Sequence, residues 1–151
     1  MRIRTADQTD IETLSLLFDN YRIFYNKNTD IAAAKSFLLN RMKNEESVIY
    51  VCELENHILA GFVQLYPYFS STNLQRLWML NDLYVDPAHR GKGISVQLIE
   101  KAQQLAINTG AHALMLETEK DNDIGNKLYP KTGFKLHDAV NFYEWKNLTN
   151  G

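Results

Sequence analysis

Hydrophobic and polar positions change period several times along the chain, and each change marks an element. Residues 2–5 read as a short strand. Thr9-Asp10-Ile11-Glu12 has the form of a capping box, and Ile11, Leu14, Phe18, Tyr21 and Tyr25 then recur at helical spacing. A second helix is predicted from Asp30 as N-cap, with Ile31, Ala34, Leu38 and Met42 on one face. The period then falls to two: Val48, Tyr50, Cys52 and Leu54 alternate with other positions. Asn56-His57 turns the chain, and residues 58–69 return as a hairpin strand with Gly61 inside it. A turn at 70–73 leads to a third long strand over 74–85, which Asp86-Pro87 ends, because proline cannot donate to the ladder.

Downstream, Val96, Ile99, Ala102, Leu105 and Ala106 define a helix over about 95–109, with Gly110 suited to its C′ position. Residues 113–116 form a short continuous apolar run, as expected of a strand buried on both faces. A shorter helix over about 123–132 is closed by Gly133, and residues 134–137 and 141–145 read as a terminal pair of strands. The predicted order is β-α-α-β-β-β-α-β-α-β-β. This is an α/β (α+β) chain: a mixed, mostly antiparallel sheet with helices on both faces.

Composition narrows the class only modestly. The 151 residues are 45% apolar and 23% charged, within the ordinary globular range, and no linker or repeat divides them. One domain over 1–151 is expected. A formal net charge of −2 supplies no basic field for nucleic acid or an anionic membrane. The apolar runs are too short to span a bilayer, and residues 1–5 read as a strand rather than a signal segment. Cys52 is the only cysteine, so an intrachain disulfide is excluded and a cytoplasmic location is expected. His57, His89, His112 and His137 show no ligand spacing with cysteine or acid clusters, so no metal site is expected.

The chemistry concentrates in residues 83–95, between a strand and a helix. Gly91 and Gly93 lack Cβ atoms and let backbone N–H groups approach a ligand closely. The following helix directs its unpaired N–H groups and positive dipole end at the same place, and Arg90 and Lys92 add charge. Together these make a pyrophosphate cradle; the plain alternative is a surface turn with solvated basic residues. A Walker A loop needs Ser or Thr after Gly-Lys, and here Gly93 follows Lys92. A dinucleotide fingerprint needs glycine at Val96. Both are excluded.

The run Arg90-Gly91-Lys92-Gly93-Ile94-Ser95 resembles the central motif of the GNAT N-acetyltransferase superfamily, Arg or Gln followed by x-x-Gly-x-Gly/Ala, with Ser95 at the usual glycine or alanine. Asn122, Gly125 (where alanine is usual), Leu128-Tyr129 and Gly133-Phe134 are similar to a second family element. The resemblance covers nearly the whole chain, and it implies acetyl transfer from acetyl-coenzyme A to an amine. It implies that backbone groups of Leu83 and Val85 bond the pantetheine arm in a gap between splayed strands. Backbone N–H groups of Arg90, Gly91, Lys92, Gly93, Ile94 and Ser95 would hold the pyrophosphate, Asn122 would contact the arm further along, and Tyr129 would lie near the sulfur. A phenol there can protonate the departing thiolate. A GNAT-like module that senses acetyl-coenzyme A without turnover is the alternative.

An alkyl ammonium is neutral for only about one molecule in a few thousand at pH 7, so its proton needs an acceptor. Residues 80–85 resemble a stretch of the diamine acetyltransferases, which place glutamate where this chain has Asn81. Asn81 cannot titrate; Asp82, on the opposite sheet face, and Glu117 and Glu119, on one strand face, remain open. Cys52 reads as a small buried hydrophobe, not a nucleophile. Tyr21, Tyr25, Tyr66, Tyr68 and Phe69 are candidates to line an apolar acceptor site, small molecule or protein. Phe142, Tyr143 and Trp145 suggest a homodimer, since aromatics are enriched at interface cores.

Overall fold

A computed structural model describes residues 1–150. The chain divides into two compact units, Met1–Glu117 and a second unit from Thr118 onward. The first unit contains the whole sheet, with strands β1 (Arg2–Thr5), β2 (Val48–Glu53), β3 (Leu59–Ser70), β4 (Gln75–Val85) and β5 (Ala113–Met115) in spatial order one to five. Neighbours are antiparallel except β4 and β5, which run parallel. It also holds helices α1 (Ile11–Phe24), α2 (Ile31–Lys43) and α3 (Ile94–Asn108); the second unit holds α4 (Asp123–Lys131).

The two-residue alternation of β2 assigns the helices to faces. Ile49 and Val51 join Leu14, Leu17, Phe18, Ala34, Leu38, Phe62 and Tyr84 in one core under α1 and α2. Tyr50 and Cys52 project the other way, and Lys101 of α3 lies 5.5 Å over the Tyr50 ring. Helices therefore cover both faces. Cys52 is fully buried and burial raises its thiol pKa, as suits a small hydrophobe.

Polar groups fix the ends of these elements. Asp30 caps α2, accepting from Ala33 N at 3.0 Å. Buried Asp19 accepts from Asp30 N at 2.8 Å and from the Thr29 hydroxyl at 2.6 Å, which ties the α1–α2 loop down and holds its carboxyl below the usual range. Arg4 donates to Asp10 and Glu53, joining β1, the entry to α1 and the end of β2. Gly110 takes φ +66° after α3, the left-handed conformation expected at a C′ glycine.

The fold departs from the sequence-based expectations at several places. The capping box is formed by Asp7 and Asp10 around a short 3-10 turn before α1, not by Thr9 and Glu12, because the extra turn moves the cap two residues upstream. The run at 113–116 is not buried on both faces: Met115 is exposed and Ala113 and Leu114 are half-buried, since β5 ends the sheet and has one neighbour. The strand stops at Met115, so Glu117 and Glu119 share no strand face; both are exposed. Finally, residues 134–137 and 141–145 form no strands, so the element order ends at α4. A strand needs a hydrogen-bonding neighbour, and none pairs with this segment among the described residues.

Candidate active site

Strand β4 organises the first unit's chemistry. Its register on β3 is regular from Val85 (opposite Gly61) to Asp82 (opposite Gln64), then slips so that Leu65 faces Leu80. Asn81 is thus the extra residue of a β-bulge, a device that re-aims side chains. Asn81 is exposed, whereas Asp82 is 4% exposed. Gln64 Nε2 donates to Asp82 at 2.7 Å and Asn81 Nδ2 donates at 3.0 Å. Ser47 in turn donates to Gln64 at 2.8 Å. Burial pushes the Asp82 carboxyl pKa up, against the lowering effect of hydrogen bonds from Gln64, Tyr21 and Asn81.

Aromatic rings surround the same stretch. Tyr21 packs 5.1 Å from Tyr25 and 6.2 Å from Tyr84, and its hydroxyl lies 3.4 Å from the Asn81 carbonyl. Burial and then the charge of Asp82 push the Tyr66 phenol up to about 12. Tyr68 and Phe69, further along β3, are exposed. The buried Gln64–Asp82 pair was missed by sequence reasoning; its one signal was a glutamine inside an otherwise apolar strand.

The other end of β4 opens. Parallel pairing with β5 covers only Leu77 to Met79, so from Leu80 through Leu83 to Val85 the edge of β4 away from β3 has no strand against it. On the β3 side the approach is tight: a Cβ on Gly61 would lie 2.7 Å from the Tyr84 carbonyl oxygen. Arg90 Nε donates to the Val85 carbonyl at 2.9 Å and its guanidinium lies 5.6 Å over the Tyr84 ring. Arg90 therefore anchors the loop, and Val85 offers its carbonyl to Arg90.

Between Arg90 and α3 the backbone passes through two left-handed glycines. Gly91 and Gly93 have φ +77° and +76°, and no atom lies within 4 Å of a Cβ built on either. Here glycine is required by conformation rather than by protein crowding. Gly93 is the N-cap of α3 and contributes no side-chain cap, so no capping side chain occupies the first N–H groups of the helix. Lys92 is exposed and Ile94 is buried, which fixes the start of the helix against the sheet.

In the second unit, Asn122 caps α4: its Oδ1 accepts from Gly125 N at 3.1 Å and its Nδ2 donates to the Thr118 hydroxyl at 2.9 Å. A Cβ on Gly125 would stand 2.7 Å from Asn122 Nδ2 and 3.2 Å from the Tyr129 ring, which explains glycine here. Tyr129 is half-buried and packs edge-on against Phe134 at 5.8 Å. Among the described residues no group of three or more His, Cys, Asp or Glu side chains could hold a metal ion.

A mixed sheet paired with β5 only at one end of β4, with a twin-glycine loop leading into α3, is the arrangement that the resemblance to the acetyltransferases implied. Comparison with known proteins agrees. The acetyltransferase (GNAT) family matches residues 12–134. An uncharacterized N-acetyltransferase YhfO of Bacillus subtilis (strain 168) is 42% identical, covering 89% of this chain and 90% of its own. A probable acetyltransferase of Haemophilus influenzae is 33% identical over 95% of this chain and 97% of its own. The crystal structure of a probable acetyltransferase superposes with a TM-score of 0.93 at 35% identity, covering 97% of this chain and 98% of that one. The chain belongs to the GNAT acetyltransferase family and is an N-acetyltransferase. These relatives do not favour a non-catalytic sensing module.

Proposed function

We propose that this enzyme moves the acetyl group of acetyl-coenzyme A to the primary amine of a small molecule that arrives as an ammonium cation. The observation that carries the donor is the twin-glycine loop before the uncapped start of α3. Backbone N–H groups from Arg90 to Ser95 hold the pyrophosphate, and the open edge at Leu83 and Val85 receives the pantetheine arm. The fold of an aminoglycoside N-acetyltransferase in complex with CoA is shared with this chain at a TM-score of 0.81.

The acceptor reading rests on the cluster around Asp82. An ammonium group is attracted to aromatic faces and to a buried carboxylate, and Tyr21, Tyr25 and Tyr84 gather beside Asp82. In the reaction the neutral amine nitrogen attacks the thioester carbonyl carbon, the carbon–sulfur bond breaks, and sulfur leaves with the bonding electrons. The ammonium gives one proton to solvent before attack; Tyr129 gives the thiolate its proton and is reprotonated, through solvent, by the proton that the attacking nitrogen sheds. Asp82 acts as a positioning residue that holds the amine through charge. Asn122 supports Tyr129 by capping α4. No metal takes part in this scheme, and the enzyme works in the cytoplasm, where its lone Cys52 stays a thiol.

Turnover of acetyl-coenzyme A with a panel of small amines, amino-acid α-amines and peptides tests the reading. Small alkyl amines should be acetylated best; turnover with peptides alone would overturn the acceptor class. Asp82→Asn should raise KM for the amine while leaving coenzyme A affinity unchanged. Because burial raises the Asp82 pKa, its charge is present only above that raised value. Amine affinity should therefore fall as pH drops through that raised value, and Asp82→Asn should remove that dependence.

A further inference from the structure

Three neighbouring strands set a row of polar side chains across the sheet face under α1 and α2. On β3, Gln64 stands opposite Asp82 of β4 and Ile49 of β2, and Ser47 lies two residues before Ile49 on the same face. Gln64 is fully buried. A buried amide has a direction, because one end donates and the other accepts. Here Ser47 Oγ donates to Gln64 Oε1 at 2.8 Å, and Gln64 Nε2 donates to Asp82 Oδ2 at 2.7 Å. Turned over, the amide would set its oxygen against a carboxylate oxygen, two acceptors with no proton between them. The chain of bonds therefore fits the charged form of Asp82. The groups facing Asp82 come from three elements: Tyr21 of α1, Gln64 and Tyr66 of β3, and Asn81 beside it on β4. Arg41 and Glu46, of opposite charge, act on Tyr66 and pair with each other at 3.2 Å.

Packing alone does not call for an amide at position 64, since burying one is costly and an apolar side chain of like length would fill the space. Its use lies in the carboxyl it meets. Burial pushes Asp82 toward its neutral form, and a hydrogen bond to the charged form opposes this. We propose that Gln64, with Ser47 fixing the direction of its amide, is a positioning residue for the acceptor, which keeps Asp82 charged where the ammonium binds. The proposal rests on the acceptor reading above and names the residues that sustain it. Gln64, with no exposed surface, acts on the amine only through Asp82.

The test measures amine KM against pH in Gln64→Met, Asp82→Asn and the double variant, each checked for folding by circular dichroism. Gln64→Met keeps the length of the side chain and loses the donor. Below the wild-type pH midpoint its amine KM should rise by roughly 10- to 100-fold, the worth of a hydrogen bond to a charged group. Its midpoint should move up, and KM for acetyl-coenzyme A should stay. In the Asp82→Asn background the same substitution should add nothing; additive effects would make Gln64 a packing residue and overturn the proposal. A raised amine KM in Asp82→Asn beside an unmoved one in Gln64→Met would overturn it too. Ser47→Ala, at a half-buried position, should move the midpoint the same way and serves where Gln64→Met does not fold; Ser47→Thr, which keeps the hydroxyl, should restore it. The carbon-13 signal of the Asp82 carboxyl, titrated without substrate or cofactor, separates this proposal from the acceptor reading. A carboxyl midpoint unmoved by Gln64→Met and Ser47→Ala would sink the proposal. A midpoint that moves up, beside an amine KM unchanged in Asp82→Asn, would sink the acceptor reading and leave the control of the Asp82 charge standing.

Discussion

Gly93 and Gly110 form a natural control pair for the cradle. Both are left-handed, at φ +76° and +66°, and a Cβ on either meets no atom within 4 Å. Gly93→Ala and Gly110→Ala therefore carry the same protein-internal cost, the left-handed strain of an L-residue, about 1–2 kcal/mol. For a chain of this size each kcal/mol moves Tm by roughly 2–4 °C. Both apo variants should melt a few degrees lower than the wild type, and by similar amounts. Ligand separates them. Coenzyme A at about a hundred times its Kd adds about 2.7 kcal/mol to the folded state, and Gly110→Ala should keep that whole increment. At Gly93 the new methyl group points into space that only the pyrophosphate would fill, so the increment should shrink or vanish. Thermal unfolding of the three proteins with and without coenzyme A reads all the terms. Equal coenzyme A shifts in both variants and the wild type would refute the loop as the phosphate site; a large loss of stability at Gly93 alone, without ligand, would refute the reading of open space.

Tyr129→Phe keeps the ring packing against Phe134 and removes the hydroxyl. The turnover number should fall by on the order of 10²–10⁴ with affinities little changed, and steady-state kinetics that show full turnover would remove the tyrosine from the chemistry. Gly61→Ala places a methyl group 2.7 Å from the Tyr84 carbonyl oxygen, and overpacking of this kind costs about 1–3 kcal/mol, readable from the urea midpoint. Arg4 holds the carboxyls of Asp10 and Glu53 well below their usual range. Depressed pKa values contribute stability that is present above the ordinary carboxylate pKa and lost as pH falls through and below it. Arg4→Met should flatten this acid limb in urea unfolding followed as a function of pH.

The sequence was most legible where the side-chain period is set by burial alone. Strands β2, β3 and β4 and helices α2 and α3 fall within a residue or so of their predicted bounds, because alternation at Val48, Tyr50 and Cys52, or three- and four-residue steps at Val96, Ile99 and Ala102, reflects which face meets the core. The loop from Arg90 to Ser95 was legible for a different reason: paired glycines between a strand and a helix have few structural uses. What stayed hidden depends on neighbours rather than on local pattern. The bulge at Asn81 is a register slip between two strands, and nothing in residues 74–85 taken alone records it. The Asp7–Asp10 cap was displaced by one 3-10 turn, since Thr9 and Asp7 are both competent caps. The terminal strands failed although their composition favours strand, because composition does not supply the hydrogen-bonding neighbour that a strand needs.

The bulge also bears on both of the binding tasks proposed for β4. On the side facing α1, the slip at Asn81 leaves Asp82 buried with Gln64 while Asn81 faces outward, so the carboxylate proposed to hold the acceptor is placed by backbone register rather than by a loop. On the edge facing β5, pairing stops at Met79, two residues before the bulge, and from there the backbone of β4 runs unpaired to Asp86 and the glycine loop. A straight, fully paired β4 would close the opening proposed for the donor. Without the slip, Asp82 and Asn81 would exchange faces, because strand side chains alternate with a period of two. The opening proposed for the donor and the carboxylate proposed for the acceptor thus both depend on the same few residues of β4, between Met79 and Asp82.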